Sequence, residues 1–510
     1  MTDFSFTFLF LINIAMGIVQ KDAFRTMIIS YIGIGLGYLN KGVLFLVLLS
    51  TEEIGLLNLL LTIGILFAQV GNLGNAYLTW KFLPFFKNDD NRHNGFFPLL
   101  LLIITLGGLI CSFLYLAFKP QILSVYVDNS QMFLDYYYWV LPIGIGFLIY
   151  ISFDAYLKGF YKNIVAVFVN EVILRLAITV ILVLYSLKLI SFDFLVISHS
   201  LLFLLPSLIL FVYLYQIGHL NFDFKSINIS RRFRSILLQF SAFNYFNSMG
   251  IVLVGSLDII MIASIVGLES TGVYATVVFL TSALLVPYRS IIRISSPIVA
   301  EHWKHREIDK LQELYTKVSS TGLLIGMSAF VIIWLNIDLL FSFLKPEFAP
   351  GIWVFFFLMM GKLLDMFFGI NGAIFSTSKK YKYDLFFTAV LITTVYFCNL
   401  LFIPSLGMVG AAISSGIAIV LYNIGRIIFV WKIFNMHPFT TNQFKIIGLG
   451  LATIFIGEFI GTLGLGILLH FVVMIVLILV AYITPILAFN LEPDMKNFMI
   501  NGWKHLTKKK

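Results

Sequence analysis

The chain has 510 residues, of which 60% are hydrophobic and only 12% are charged, and its mean hydropathy is +0.97. These values exclude a water-soluble globular protein and a disordered chain. The net charge of +9 would suggest nucleic acid in a soluble protein, but in so apolar a chain it favours basic loops on one side of a membrane. Cys111 and Cys398 lie in apolar stretches and imply no disulfide framework.

Uncharged apolar stretches recur about every thirty residues along the chain. A helix needs roughly 20 apolar residues to cross a bilayer core, so the sequence predicts an all-α integral membrane protein with about 14 transmembrane helices. These are the predicted spans one to fourteen: 27–49, 56–80, 97–118, 137–157, 164–186, 193–215, 237–265, 271–296, 317–336, 352–375, 384–404, 408–431, 444–462 and 466–488.

The distribution of basic residues predicts the orientation. If both termini are cytoplasmic, 25 of the 34 Lys and Arg lie in or next to cytoplasmic segments and six lie within spans. Only Lys119, Lys188 and Lys345 lie in external loops. Residues 1–15 precede a natural basic start at Met16 and are too short a stretch for a further span. We expect them to be a dispensable extension, with the start codon left open.

An internal repeat relates the two halves of the chain. Gly55, after span one, and Gly272, after span seven, share a similar sequence context and lie 217 residues apart. Six spans separate them, so both copies have the same orientation. We therefore expect two six-helix lobes in parallel repeat plus two C-terminal helices. The predicted segments are an N-terminal lobe (16–215), a cytoplasmic linker (216–235), a C-terminal lobe (236–434), spans thirteen and fourteen (435–488) and a basic cytoplasmic tail (489–510).

Four stretches carry a resemblance to a known family: MGIVQKDAFRTMIISYIGIGLGYLNK from Met16, STEEIGLLNLL from Ser50, SSPIVAEHWKHREIDKLQELYTKVSS from Ser295 and SLGMVGAAISSGIA from Ser405. With the six-plus-six-plus-two pattern they resemble the polysaccharide transporters of the multidrug/oligosaccharidyl-lipid/polysaccharide exporter superfamily. The resemblance implies a bacterial inner-membrane flippase that moves undecaprenyl-pyrophosphate-linked sugar repeat units of O-antigen, capsule or exopolysaccharide. Its expected partners are the lipid-linked oligosaccharide, membrane lipids and glycan assembly machinery, with no nucleic acid. The family supplies no strict motif that assigns individual residues.

Ionisable residues inside spans are costly, so each is a candidate for function. Glu171 and Arg175 on span five, and Lys362 and Asp365 on span ten, have spacings that place each pair on one helix face. Lys41 and Asp258 are 217 residues apart and so occupy equivalent places in spans one and seven. We expect them to form an ion pair that closes the external side. For the pairs on spans five and ten, the alternative is a purely structural ion pair. For the third pair, the alternative is that Lys41 snorkels outward and Asp258 bonds a neighbouring amide.

Arg289 and Arg293, four residues apart on span eight, are the candidate pyrophosphate ligands because guanidinium groups match phosphate oxygens. Snorkelling to headgroups is the alternative for both, and Arg426 is expected to be such an anchor. Four amides share faces on two spans and could bind sugar or simply bond one another: Gln69 and Asn72 on span two, and Asn244 and Asn247 on span seven.

Three functions remain open from the sequence. A lipid-linked oligosaccharide flippase working by alternating access is favoured; a cation-coupled small-molecule or multidrug antiporter of the same fold is the alternative; a membrane glycan polymerase or ligase is disfavoured because external loops are short. No catalytic residue, cofactor or metal site is expected, and Glu301, His302 and His305 fit a solvated loop helix. A coupling ion, Na⁺ or H⁺, remains open, with Asp154, Glu171, Asp258 and Asp365 as candidate carboxylates.

Overall fold

The structure is a computed structural model that describes residues 22, 25–87, 93–226, 231–283, 285–380 and 382–492. Every regular element within these ranges is a helix, as expected in a bilayer, where a helix satisfies its own backbone hydrogen bonds. Twelve of the helices found in these ranges are long and apolar enough to cross a membrane, or thirteen if one bent pair is a single span. The protein is therefore an all-helical multi-pass membrane protein, as the composition predicts.

The chain packs as two compact units, residues 1–272 and 273–510. The first unit contains spans one to seven, which keep the predicted order. Their helices are Arg25–Leu48, Thr51–Gly71 with Asn75–Phe86, Phe96–Ala117, Gln131–Gly159, Ile164–Ser186, Phe192–Gln216 and Arg231–Ile265. A short helix, Lys119–Tyr126, follows span three.

The second unit contains most of span eight and spans nine to fourteen. Its helices are Leu268–Ala283 with Val286–His305, Ile308–Trp334, Ile337–Ser342, Gly351–Phe368 with Asn371–Thr377, Tyr383–Phe434, Thr441–Gly461 and Leu468–Ala488. The segment Tyr383–Phe434 is helical on both sides of Gly407 but is not one continuous helix. Gly407 interrupts it with a φ of 59°, so it supplies both span eleven and span twelve.

Spans two and eight are both discontinuous, and they occupy corresponding places in the predicted repeat. Span two stops at Gly71 and resumes at Asn75, because Leu73 and Gly74 adopt positive φ angles of 49° and 78°. The two helices of span eight, Leu268–Ser282 and Val286–His305, meet at a 56° bend. Interrupted helices at matching places in two repeats are typical of the substrate-binding spans of transporters.

Gly55 and Gly272, which define the repeat in the sequence, contact each other reciprocally. A Cβ atom on Gly55 would lie 1.9 Å from the Leu268 carbonyl oxygen, and a Cβ atom on Gly272 would lie 1.9 Å from the Thr51 carbonyl oxygen. Mutual contacts of this kind are those expected of two segments related by a two-fold axis. Only glycine permits this approach between the starts of spans two and eight.

The packing division falls after Gly272, so span seven packs with spans one to six in this structure. The predicted lobes instead divide at residues 216–235, after span six. The lobes are defined by the repeat rather than by packing, and their boundaries stay a prediction. The predicted extension 1–15 and most of the tail 489–510 lie outside the described residues.

Candidate functional site

The ion pair predicted on span five is present. Glu171 Oε2 lies 2.6 Å from Arg175 Nη2, and both side chains are about three-quarters buried. The Arg175 guanidinium also donates to the Gly33 carbonyl of span one. Because a charge buried without its partner is strongly unfavourable, this arrangement ties span five to span one as well as neutralising both groups.

Two glycines of span one make room for this ion pair. A Cβ atom on Gly33 would lie 2.8 Å from Glu171 Cβ, and one on Gly37 would lie 2.6 Å from Arg175 Nη1, whereas Gly35, between them, faces open space. The four-residue spacing puts Gly33 and Gly37 on one helix face. Small residues at this spacing let membrane helices approach closely, so the glycines and the ion pair form one packing unit.

Both helices change to π geometry close to this ion pair, at Tyr38–Leu44 and Val169–Ile173. In the first of these segments Asn40 Nδ2 donates to the Arg175 carbonyl at 2.8 Å and its Oδ1 accepts from Thr179 Oγ1 at 2.7 Å. Short π segments inside α-helices are frequent at functional sites. The polar cluster of spans one and five is therefore a candidate site in its own right.

The predicted ion pair between Lys41 and Asp258 is absent among the described contacts of Lys41. Its Nζ instead donates to Asn58 Oδ1 on span two at 3.2 Å, while Asp258 is buried and interacts with other groups. An amide one helix away satisfies the ammonium group in this structure. The gate that we expect these two residues to form stays a prediction.

Gln69 and Asn72, predicted to share a face of span two, contact different helices. Gln69 Nε2 donates to Ser248 Oγ of span seven at 2.7 Å, whereas Asn72 Nδ2 approaches Ser152 Oγ of span four at 3.4 Å. Asn72 Oδ1 also accepts from the Ala76 backbone N–H at 3.1 Å. Asn72 therefore caps the second helix of span two across the break, a role that its helical spacing does not suggest.

Of the two amides predicted on span seven, Asn244 is half-buried and has interactions of its own. The side chain of Asn247 lies outside the described residues. Whether the two share a role stays a prediction.

On span ten, Lys362 and Asp365 do not form the predicted pair. Lys362 Nζ donates to Thr281 Oγ1 of span eight at 2.5 Å, and Asp365 Oδ1 accepts from Asn423 Nδ2 of span twelve at 2.9 Å. Asn423 Oδ1 in turn accepts from Asn371 Nδ2 at 2.7 Å. Each charged side chain thus finds a polar partner on a neighbouring helix, which the three-residue spacing alone cannot reveal.

Arg426 is not the interfacial anchor that its position near a span end suggests. It is 8% exposed, forms a salt bridge with Asp384, and lies 4.1 Å from the centre of the Tyr422 ring. It therefore links the end of span twelve to the first turn of span eleven. A buried arginine paired in this way has a packing role.

Arg289 and Arg293 both lie on the second helix of span eight with exposed side chains. Within the described part of the chain neither guanidinium forms a salt bridge. Arg289 is close enough to Lys362 to interact with it electrostatically. Two arginines without a carboxylate partner, one of them beside a lysine, form a positive region within the second unit that suits an anionic ligand.

Residues Glu301, His302 and His305 lie at the end of this same helix. His302 Nδ1 is 2.7 Å from Glu307 Oε2, and Lys310 bonds the other oxygen of that carboxylate. No group of three or more potential metal ligands occurs among the described residues. The segment is a locally ion-paired turn.

No protein-family model matches the chain, and no curated protein sequence matches it. Solved structures do. The chain is similar to the lipid II flippase MurJ in an inward closed conformation, with 14% identity and a TM-score of 0.67 over 90% of this chain and 97% of that one. It is similar to an inward-facing multidrug resistance MATE transporter, with 14% identity and a TM-score of 0.61 over 78% and 94%. A MOP superfamily transporter from Pyrococcus furiosus gives 15% identity and 0.53 over 81% and 96%.

The chain shares the fold of these three solved structures. The matches extend over nearly the whole of each of these structures, so the likeness covers an entire transporter rather than a few helices. At 14–15% identity it establishes the fold and leaves the substrate to be argued from the residues. The proteins named are a flippase and transporters.

A further cluster of aromatic and histidine side chains lies in the first unit. His93 Nε2 lies 3.2 Å from His219 Nδ1, and the Phe160 ring stacks on His219 at 4.2 Å. Burial, followed by the charges of Lys162, His93 and Lys87, lowers the pKa of His219 to about 4. The cluster joins three loops of the first unit, and no sequence signal connects two histidines 126 residues apart.

Proposed function

We propose that this protein is a flippase that moves undecaprenyl-pyrophosphate-linked oligosaccharide repeat units across the bacterial inner membrane by alternating access. The observation that supports this proposal most strongly is the extent of the likeness to the lipid II flippase. That comparison covers 90% of this chain, whereas the MATE comparison covers 78%. The difference, about 12% of the chain, is comparable to the predicted segment 435–488. In aligned length the chain therefore resembles the lipid flippase more than the drug transporter.

The charged groups of span eight support the same proposal. A pyrophosphate needs cationic hydrogen-bond donors that are not already neutralised, and Arg289 and Arg293 meet this requirement in the described structure. Each guanidinium can offer a two-pronged hydrogen bond to phosphate oxygens. We assign these arginines to the pyrophosphate, with Arg289 as the principal ligand because it is deeper in the predicted span.

The second candidate is a cation-coupled multidrug antiporter, which the MATE likeness favours. Such a protein would need buried carboxylates to exchange an ion for a cationic drug. Glu171 is neutralised by Arg175 and Asp154 by Lys158, which weighs against this candidate. Asp365 and Asp258 remain the carboxylates proposed for coupling to Na⁺ or H⁺ in either function.

Deleting the gene in the cell that encodes it tests the proposal. A flippase deletion should leave complete lipid-linked repeat units on the cytoplasmic face and remove the polymer from the surface. Unchanged surface polysaccharide, together with new sensitivity to cationic drugs, would support the antiporter instead. The same deletion strain is used to compare variants of the protein. We expect the partners of the protein in these cells to be glycan assembly proteins.

A further inference from the structure

A cleft in the first unit opens beside the broken part of span two. It lies between the helix Asn75–Phe86 and the inner end of span four, and its volume is about 360 Å³. Small-molecule sites usually measure about 300–1,000 Å³, so the cleft can hold a small ligand. The residues that line it are Ala76, Tyr77, Trp80, Ile151, Asp154, Ala155 and Lys158.

One wall of the cleft is aromatic. Tyr77 and Trp80 are three residues apart and so lie on one helix face. Trp80 is 67% exposed. An indole face carries partial negative charge, and it packs well against the weakly positive C–H groups on one face of a pyranose ring.

The opposite wall is polar and contains an unused hydrogen-bond acceptor. Asp154 Oδ2 lies 2.5 Å from Lys158 Nζ, and the Asp154 side chain is 14% exposed. Its other oxygen, Oδ1, is buried without a hydrogen-bond partner. Buried polar atoms are almost always satisfied, so this carboxylate keeps hydrogen-bonding capacity that its described protein contacts do not use.

These groups together select among ligand classes. The ion pair of Asp154 and Lys158 is neutral overall, so the cleft attracts neither a phosphate nor a cationic drug by charge. A lipid tail has no polar group to offer Asp154 and Lys158. A sugar meets both requirements, since its hydroxyl groups donate to the carboxylate and accept from the ammonium group while its C–H face covers an aromatic ring.

We propose that this cleft binds one sugar residue of the transported oligosaccharide, with Trp80 as the stacking platform and Asp154 and Lys158 as hydroxyl ligands. The inference deepens the proposed function and rests on it. The site lies directly after the break in span two, at the kind of helix interruption that forms substrate sites in transporters. Arg289 and Arg293, which are assigned to the pyrophosphate, do not line this cleft.

The test compares two lipids on the full-length protein in nanodiscs. One is the lipid-linked repeat unit extracted from the source cells, and the other is undecaprenyl pyrophosphate without sugar. Native mass spectrometry or thermophoresis gives the affinity of the protein for each lipid. The affinity for the glycosylated lipid divided by the affinity for the sugar-free lipid isolates the contribution of the sugar. We expect the wild-type ratio to be well above one.

Trp80→Ala should lower this ratio about tenfold, equivalent to about 1.4 kcal/mol, while affinity for the sugar-free lipid stays unchanged. Trp80→Phe should give a ratio between those of the wild type and Trp80→Ala, because phenylalanine keeps a smaller aromatic ring. Asp154→Asn should lower the ratio because the strongest hydroxyl acceptor is lost. Trp431→Ala is the matched control: Trp431 is also an exposed tryptophan, at 55%, but does not line the cleft. It should leave the ratio unchanged.

The inference is overturned if Trp80→Ala and Asp154→Asn keep the wild-type ratio, or if the wild-type ratio is one. The accompanying gene deletion separates the two failures. If the deletion still removes surface polysaccharide, the flippase proposal stands and only the sugar site falls. If the deletion leaves surface polysaccharide intact and the wild-type protein shows no preference for the glycosylated lipid, both fall.

Discussion

Arg289 differs from Arg175 and Arg426 in what it contacts. Arg175 and Arg426 are neutralised by carboxylates, whereas the Arg289 side chain is exposed and lies near Lys362. An arginine that served only packing would gain from a carboxylate partner. The absence of one among its described contacts, together with a neighbouring positive charge, is the basis for assigning it to an anionic ligand.

Changing Arg289 to Ala should therefore abolish surface polysaccharide in the deletion strain without lowering the amount of protein in the membrane. Arg289→Ala would lose charge-assisted hydrogen bonds to the pyrophosphate worth about 1.5–3 kcal/mol. This loss corresponds to transport that is roughly 10- to 100-fold slower. Arg289→Lys should restore part of the activity, because lysine keeps the charge but not the two-pronged donor. Arg293→Ala serves as the comparison and should cost less. Full activity of Arg289→Ala would show that the residue is only an anchor.

The histidine cluster of the first unit makes stability depend on pH. The pKa of His219 is about 4 in the folded protein against 6.5 for an ordinary histidine. Between these values the unfolded chain binds the extra proton, so stability falls as the pH is lowered from 6.5 to 4 and levels off below it. His219→Phe keeps a ring to stack on Phe160 but cannot titrate.

In this variant the thermal unfolding temperature should vary less between pH 6.5 and 4 than in the wild type. His437, an exposed histidine on a loop of the second unit, provides the control, since His437→Phe should leave the pH dependence as it was. An unchanged slope in His219→Phe would mean that other groups cause the acid sensitivity.

At the scale of helices, the contact of Gly55 with Gly272 leaves no room for a side chain. The obstacles are the backbone carbonyls of Leu268 and Thr51, each 1.9 Å from the new Cβ position, and backbone atoms cannot rotate away as a side chain can. Gly55→Ala and Gly272→Ala should each lower the unfolding temperature markedly and reduce the yield of folded protein.

Gly255→Ala on span seven is the matched control, because a Cβ atom there meets nothing within 4 Å. It should be neutral or stabilising by about 0.5–1 kcal/mol, the ordinary advantage of alanine over glycine in a helix. If Gly55→Ala proves as stable as Gly255→Ala, the two helices can separate freely and the close approach has no structural importance.

The helices were predictable where hydropathy alone determines them. Span three was expected at 97–118 and occupies Phe96–Ala117. The start of span two was missed because Ser50 and Glu53 form a capping box that extends the helix to Thr51, and polar caps do not contribute to hydropathy. The break at Leu73 and Gly74 does not follow from hydropathy, because the turn residues Asn72, Gly74 and Asn75 lie inside a stretch that is apolar on average.

For the candidate site, only partners close in sequence could be predicted. The pair of Glu171 and Arg175 follows from helical spacing, and the structure contains it. Lys362 with Thr281, and Arg426 with Asp384, join residues 81 and 42 positions apart, so their pairing depends on how helices are arranged. Span seven also packs with the first unit, which the repeat does not indicate.

At the scale of the molecule, the orientation in the membrane is the first property to test. Placing both termini in the cytoplasm leaves only Lys119, Lys188 and Lys345 outside, and this asymmetry is the main determinant of topology. Reporter fusions at Lys87 and Ser226 should be active only as cytoplasmic reporters, and fusions at Glu53 and Lys345 only as external ones. The reverse pattern at any two of these positions would require a different number of spans.

The central claim is that the chain moves a lipid-linked oligosaccharide between leaflets. Its most direct test is transport in vesicles that contain the purified protein and a fluorescent lipid-linked repeat unit distributed over both leaflets. A membrane-impermeant quencher added outside reaches about half of the label in protein-free vesicles. With the protein present we predict that nearly all of the label is quenched, and that Arg289→Ala slows this quenching. Quenching that stops at half, in vesicles that expel a cationic dye along a Na⁺ or H⁺ gradient, would contradict the account and identify an antiporter.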